Sequence, residues 1–366
     1  MLIEDRIKKN NLVNIYEKIR AEKRLNFADG TRLYNCQDLL SLGFLASIVR
    51  ERKNGNRAYF VRNQHINYTN VCINRCKFCA FSKGKDDHGA YEMTVEEIGN
   101  KIRENLNEQI SEVHIVGGLN PNYPYPYYLE MLRTIKKIRP SIHIQAFTAV
   151  EIAFIAEIGK KSIEDTLNDL REAGLGSLPG GGAEVFSPRI RKELCPKKLD
   201  PDSWLNVTKT AHSMGIPGNA TMLYGHLEKT EELVEHLIKL RNAQNESRGF
   251  LAFIPLAFHP QNTELSFLSG TTGFDDLKNL AISRLMLDNF PHIKAFWIMI
   301  TPKVSQISLS FGVDDIDGTV TEERITHSAG AATPQSLTLN ELVTMIKKAG
   351  KQPIERDTLY EEIKSY

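Results

Sequence analysis

The chain has no excess of either charge: 46 Lys and Arg stand against 45 Asp and Glu in 366 residues. No basic cluster stands out either, which argues against a nucleic-acid partner held by an electrostatic field. No run approaches the ~18 apolar residues that a bilayer-spanning helix needs, so no membrane association is expected. The first ten residues, Met1 to Asn10, mix charges from the start and lack the apolar stretch of a signal peptide. No repeat, low-complexity tract or long linker divides the chain. Its length suits one α/β barrel of about 250 residues with extensions. Cysteine is scarce. There are five, an odd number, and three of them sit too close together for a secreted disulfide framework, so the expected location is the reducing cytoplasm.

Those three are the strongest signal. Cys72, Cys76 and Cys79 lie in the run Asn67-Tyr-Thr-Asn-Val-Cys-Ile-Asn-Arg-Cys-Lys-Phe-Cys-Ala-Phe81. A C-x3-C-x2-C triplet offers three thiolates from one short loop, which suits three corners of a [4Fe–4S] cube. With no fourth cysteine nearby in sequence, one iron keeps an open position. Two other readings stay open. The spacing also marks one face of a helix, although Val71, Ile73, Asn74 and Arg75 make a poor helix nucleus. A zinc site would need His65, His88 or His114 to complete its ligand set. Cys36 and Cys195 read as packed thiols.

Residues 1 to about 55 show apolar spacing of three to four and are expected to be helical, as in Leu12–Arg20 and Asp38–Val49. After them the rhythm changes. Short apolar runs at 58–61, 112–116, 142–147, 175–178, 220–223, 250–258 and 293–300 alternate with amphipathic stretches. That alternation predicts βα units and a parallel sheet, hence a (β/α) TIM-type barrel, complete or partly open, over residues 56–330. Residues 331–366 are expected to form a helical tail. Thr94-Val-Glu-Glu97 has the form of a capping box, and Pro201-Asp-Ser203 reads as another helix start.

In such a barrel, ligand-binding groups gather at the C-terminal ends of the strands. Gly117-Gly118 follows a buried-looking strand, where the lack of a Cβ lets backbone groups approach a ligand. Leu178-Pro-Gly-Gly-Gly-Ala-Glu184 exposes much backbone but matches no phosphate-cradling pattern. Thr148, His226 and His259 fall at strand ends and are candidate substrate-pocket residues. Arg75, Arg189, Arg191, Arg284 and Lys294 are possible carboxylate partners. Gly312-Val-Asp-Asp-Ile-Asp-Gly318 looks calcium-like, but Val313 and Arg324 fall where acidic ligands are required. Helix capping or site polarity explains it better.

The cysteine run, with Phe78 before Cys79, resembles the signature of the radical S-adenosylmethionine superfamily. Asn67–Asn70, Leu178–Glu184, Ala211-His212 and Asn219-Ala-Thr-Met-Leu-Tyr-Gly-His226 are similar to the group of menaquinone enzymes and deazaflavin synthases. His114–Leu119, Gln145–Glu151 and Phe253–Pro260 look most like the aminofutalosine synthases. The resemblance implies that Cys72, Cys76 and Cys79 bind a [4Fe–4S] cluster. It places Phe78, Gly117, Gly118 and Glu184 around S-adenosylmethionine. In that family a 5′-deoxyadenosyl radical adds to the enol ether of 3-[(1-carboxyvinyl)oxy]benzoate, and 6-amino-6-deoxyfutalosine forms with loss of a carboxylate, on a route to menaquinone. A low-potential electron donor such as flavodoxin or ferredoxin is implied too. Two alternatives are a sister enzyme, chiefly the dehypoxanthine futalosine cyclase, and a non-catalytic iron–sulfur or zinc protein.

Overall fold

The structure, a computed structural model, describes residues 3–366. Ten strands are defined: β1 (Arg57–Val61), β2 (Asn63–Ile66), β3 (Glu112–Ile115), β4 (His143–Ala146), β5 (Gly218–Tyr224), β6 (Phe250–Ala257), β7 (His292–Ile293), β8 (Asp315–Gly318), β9 (Gln352–Arg356) and β10 (Glu362–Ser365). Only Arg62 separates β1 from β2, and the two act as the lower and upper halves of one barrel strand. From β2 the parallel order runs through β3 to β4. Ser177 and Leu178 then bridge β4 to β5. From β5 the order continues through β6 to β7. Lys294 bridges Asp315, and β8 returns to pair with β1. The circuit closes with eight strand positions, so the barrel is complete.

Amphipathic helices cover the outside, because each strand buries both faces and needs an apolar layer against its outer one. The capping box at Thr94 and Glu97 forms as expected, with Thr94 N–H donating to Glu97 and Glu97 N–H donating to Thr94 Oγ1. Asp200 caps the helix Pro201–Ser213, with Pro201 in its first turn. Four helices precede the barrel: Ile3–Lys9, Val13–Arg20, Phe27–Asn35 and Leu39–Asn54. The last two pack on the barrel helices Thr230–Ser247 and Gly273–Met286, respectively. No helix among the described residues is long and apolar enough to cross a membrane.

Three local expectations need correction. The run 293–300 is not one strand: β7 stops at Ile293, and Trp297–Ile300 is a helical turn. A short, fully apolar run carries no period that distinguishes the two. The polar stretch 312–318, read as a cap or site feature, contains β8, the strand that closes the barrel. Its carboxylates hide its strand character. Finally, residues 331–366 are not a purely helical tail. The helix Leu339–Lys348 is followed by β9, parallel to β1, and by β10, antiparallel to β9. The tail thus belongs to the same sheet as the first barrel strand.

Candidate active site

At the end of β2 the chain passes through Asn67–Asn70 into the cysteine loop. The loop is tied down by its backbone: Cys72 N–H donates to Lys83 O at 3.0 Å, Ile73 N–H to Leu119 O at 3.1 Å, and Cys79 N–H to Cys76 O at 3.0 Å. Arg75 turns it through the left-handed region, at φ 46°. Cys72, Cys76 and Cys79 are half-buried and line one cavity of about 310 Å³ in the upper barrel. Three thiolates from one short loop facing one cavity, each able to meet its own iron, form a donor set that suits the cluster.

Gly117 and Gly118 lie against this loop. Gly118 N–H donates to Thr69 O at 2.9 Å. A Cβ on Gly118 would stand 2.2 Å from Val71 O and 3.0 Å from Cys72 Cβ, so only glycine lets the end of β3 approach the cysteines this closely. Gly117 N–H donates to Glu151 Oε1 at 2.9 Å. Glu151 also accepts from Tyr68 OH, Thr148 N–H and Thr148 Oγ1. Burial pushes its carboxyl pKa up, and these donors only partly offset that. Thr148 lines the cavity, but its hydroxyl is engaged in this capping box of the helix Ala149–Gly159.

On the facing wall, the glycine-rich loop turns at Gly180, φ 87°, where a Cβ would meet Asn219 O at 2.2 Å. It carries Glu184 into the cavity, also left-handed at φ 51°. Lys198 Nζ meets Glu184 Oε1 at 2.5 Å and sits 5.3 Å above the Phe78 ring. Despite burial, Glu184 and the neighbouring thiols hold Lys198 in its charged form. Cys195 is a packed thiol, 1% exposed in the core, and it abuts Cys76. That contact, with burial, pushes the Cys76 thiol up, and burial pushes Cys79 up to about 12. Metal binding would deprotonate both outright.

The cavity floor was less legible. His65 and His114 stack with centroids 4.4 Å apart. Gln145 Oε1 lies 3.1 Å from His114 Nδ1, and Lys294, Asp317 and Phe296 complete the lining. His259 lines the cavity too, with Nε2 held by Met299 O at 2.9 Å. His226 does not line it. Its ring is buried against its own loop, meeting Leu223 O, Leu227 N–H and Glu228. Sequence reasoning missed Glu151 and Lys198 as cavity groups; His65 was weighed only as a zinc ligand, and Asp317 falls in the stretch read as capping or site polarity. Of these, Glu151 could have been found from its Thr148-x-x-Glu151 capping pattern.

A complete (β/α) barrel with three cysteines at its mouth and a mostly apolar cavity beneath them suits a cluster-dependent enzyme of the radical type that the cysteine run resembles. Family comparison agrees. Residues 66–240 match the Radical SAM superfamily, and residues 247–365 match the CofH/MqnC C-terminal region. The chain is 45% identical to the aminodeoxyfutalosine synthase of Thermus thermophilus, covering 98% of this chain and 97% of that one. It is 41% identical to the 5-amino-6-(D-ribitylamino)uracil–L-tyrosine 4-hydroxyphenyl transferase of Methanopyrus kandleri, over 85% and 86% of the two chains. Methylornithine synthase shares the fold at TM-score 0.75 and 18% identity, covering 92% of this chain and 96% of that one. The chain belongs to the radical SAM superfamily, whose members use a [4Fe–4S] cluster and S-adenosylmethionine.

Proposed function

We propose that this enzyme is an aminofutalosine synthase, joining the 5′-deoxyadenosyl group of S-adenosylmethionine to 3-[(1-carboxyvinyl)oxy]benzoate with loss of one carboxylate. What carries the reading is the near-full-length likeness to the Thermus synthase in a chain whose cysteine loop, Gly117-Gly118 and Glu184 share one cavity. In this reading Cys72, Cys76 and Cys79 hold the cluster. When bound, that cluster supplies the electron that cleaves S-adenosylmethionine. Gly117 and Gly118 leave backbone accessible beside the cysteines, and Phe78 and Glu184 flank the nucleoside. His259, which lines the cavity, is a proposed substrate contact. Thr148 acts through the cap that orients Glu151 and Gly117, and His226 shapes the β5 loop from outside the cavity.

A carbon radical reacts with whatever is nearest, so the enclosure matters more than acid–base strength. Apolar walls from Leu119, Leu223, Ile254, Leu256 and Phe258 keep water from the centre. A low-potential donor such as flavodoxin or ferredoxin is the proposed reductant. The test is an anaerobic assay with reconstituted enzyme, dithionite, S-adenosylmethionine and the enol-ether benzoate. A product with the mass of aminofutalosine is expected. Free 5′-deoxyadenosine alone would point to another substrate, such as that of the futalosine cyclase. No cleavage at all, with an intact cluster, would overturn the reading.

A further inference from the structure

Five cations stood out in the sequence as possible carboxylate partners, and the structure separates them. Arg75 is paired with Asp87 at the surface, and Arg189 with Glu232. Arg191 donates to Ala183 O and Leu199 O. Arg284 is buried against Asp314. None of these four lines the cavity. Lys294 does. It is 5% exposed, and among the described residues its only charged partner within 4 Å is Asp317 Oδ2, at 3.9 Å, too far for a hydrogen bond. Beside it, His65 is also 5% exposed and lines the cavity, and its Nε2 has no hydrogen-bond partner.

Leaving such groups unanswered in a buried site costs free energy unless a ligand completes them. Three of the four carboxylates lining the cavity are already answered by the protein. Glu151 accepts four hydrogen bonds. Glu184 holds Lys198, and Glu323 holds Thr326 and His327. Among the described residues, Asp317 accepts only a long contact from Asn63 besides the ion pair with Lys294. Burial, reinforced by Asp315 and Glu112, pushes its carboxyl up despite Lys294. Asp317 and Glu112 act on Lys294 electrostatically, but among the described residues no acceptor comes within hydrogen-bond distance of its ammonium, so what the cavity lacks is a close acceptor for Lys294.

Resting on the synthase reading above, we infer that Lys294 and His65 form the seat for the substrate's ring carboxylate, Lys294 supplying the charge and His65 Nε2 a hydrogen bond. Burial, His114 and Lys294 hold the His65 imidazole neutral, so one nitrogen carries the proton to donate. The depth suits this end of the molecule. His65 lies within β2, whereas the cysteines lie beyond its last residue, Ile66. Chemistry favours the same orientation. The enol carboxylate is lost in the reaction, and an ion pair with lysine would stabilise it against leaving. The ring carboxylate persists into the product and can stay anchored throughout. The flat His65 ring, nearly parallel to Phe296 at 6.2 Å, provides aromatic surface beside it.

The test uses two unreactive ligands, 3-(1-carboxyethoxy)benzoate and 2-phenoxypropanoate, which differ only in the ring carboxylate. Each is titrated calorimetrically into anaerobic holoenzyme, wild type and Lys294→Met. Wild type should prefer the benzoate by about 10–100-fold, as a charge-assisted hydrogen bond allows. Lys294→Met should erase that preference while leaving affinity for 2-phenoxypropanoate and for S-adenosylmethionine unchanged. In turnover, KM should rise with little change in kcat. A preference that survives the substitution, or is absent in wild type, overturns the seat. If Lys294→Met fails to fold, the wild-type ligand pair and His65→Phe, which should narrow the preference several-fold, decide instead. Wild type that makes aminofutalosine without the preference would lose the seat and keep the reaction. Wild type that shows a Lys294-dependent preference but makes no adduct would lose the synthase reading and keep the seat.

Discussion

Within Asp314 to Asp317 lie two kinds of buried carboxylate. At the lower end of the barrel, Asp314 accepts from Arg284 Nη2, from Ile293 N–H at 2.9 Å and from His292 Nδ1 at 2.5 Å. Asp315 accepts from Arg356 Nε at 2.6 Å and from Asp317 N–H at 2.7 Å. Two residues further up, Asp317 has only Lys294 at 3.9 Å and a 3.3 Å contact from Asn63. Burial opposes ionisation in both places. At Asp314, Arg284 and His292 win and hold the carboxyl below its usual range, whereas at Asp317 burial wins. The lower carboxylates have cations within ion-pair contact and close the barrel, tying β7, β8 and the tail strand β9 together. The upper pair is left without so close a contact, where the proposed substrate would fit. Close pairing, rather than charge, separates structural polarity from functional polarity here.

Opposite substitutions at the two ends should give opposite phenotypes. The largest effect is expected at the top. Cys76→Ala should abolish cluster-dependent cleavage of S-adenosylmethionine while changing unfolding free energy by about 1 kcal/mol or less. Iron content, product mass and a denaturant titration check it, and retained turnover would sink the assignment of the triplet. At the bottom, Arg356→Met strands the Asp315 carboxylate without its cation. Breaking a buried pair by removing one partner costs about 3–5 kcal/mol, so a large drop in urea midpoint is expected. The fraction still folded should bind S-adenosylmethionine normally. A midpoint unchanged from wild type would show that the closing strand does not depend on this pair.

The smallest effect concerns the segment over the cavity mouth. His327 is held by Glu323 Oε2 at 3.1 Å and by Thr333 O at 3.0 Å. Chiefly through the Glu323 hydrogen bond, its pKa is raised from 6.5 to about 9. A histidine whose folded pKa is raised contributes stability that is complete below its unfolded pKa and lost as pH rises through the folded one. Wild type should therefore exceed His327→Gln by about 1 kcal/mol at pH 6. The gap should close as the pH passes 9. A gap that stays constant to pH 10 would break the assignment.

Much of the site was legible because its signals are local. The cysteine triplet needs one loop and fixed spacing, and the capping box at Thr94 needs only four residues; the one at Thr148 is as short but went unread. Alternating strands and helices announce a barrel because each strand and its helix are neighbours in sequence. Lys294 was visible as one of five possible anion partners, but nothing near it in sequence distinguished it from Arg284, ten residues before. Likewise His226 and His259 both end a buried strand. Only one of them turns into the cavity, because the other is captured by Glu228 and its own loop.

The sequence by itself determined the chemistry on offer, three thiolates in one loop with glycines to lie against them, and the repeating units that build a barrel. Only the tertiary structure decided how the barrel closes and which charges remain unanswered. Closure pairs Tyr59 with Asp315 and with Ile354, residues whose local sequences say nothing of each other. Whether a buried charge is spent or available depends on which partners the fold brings within hydrogen-bond reach, a sum over distant segments that no local pattern encodes.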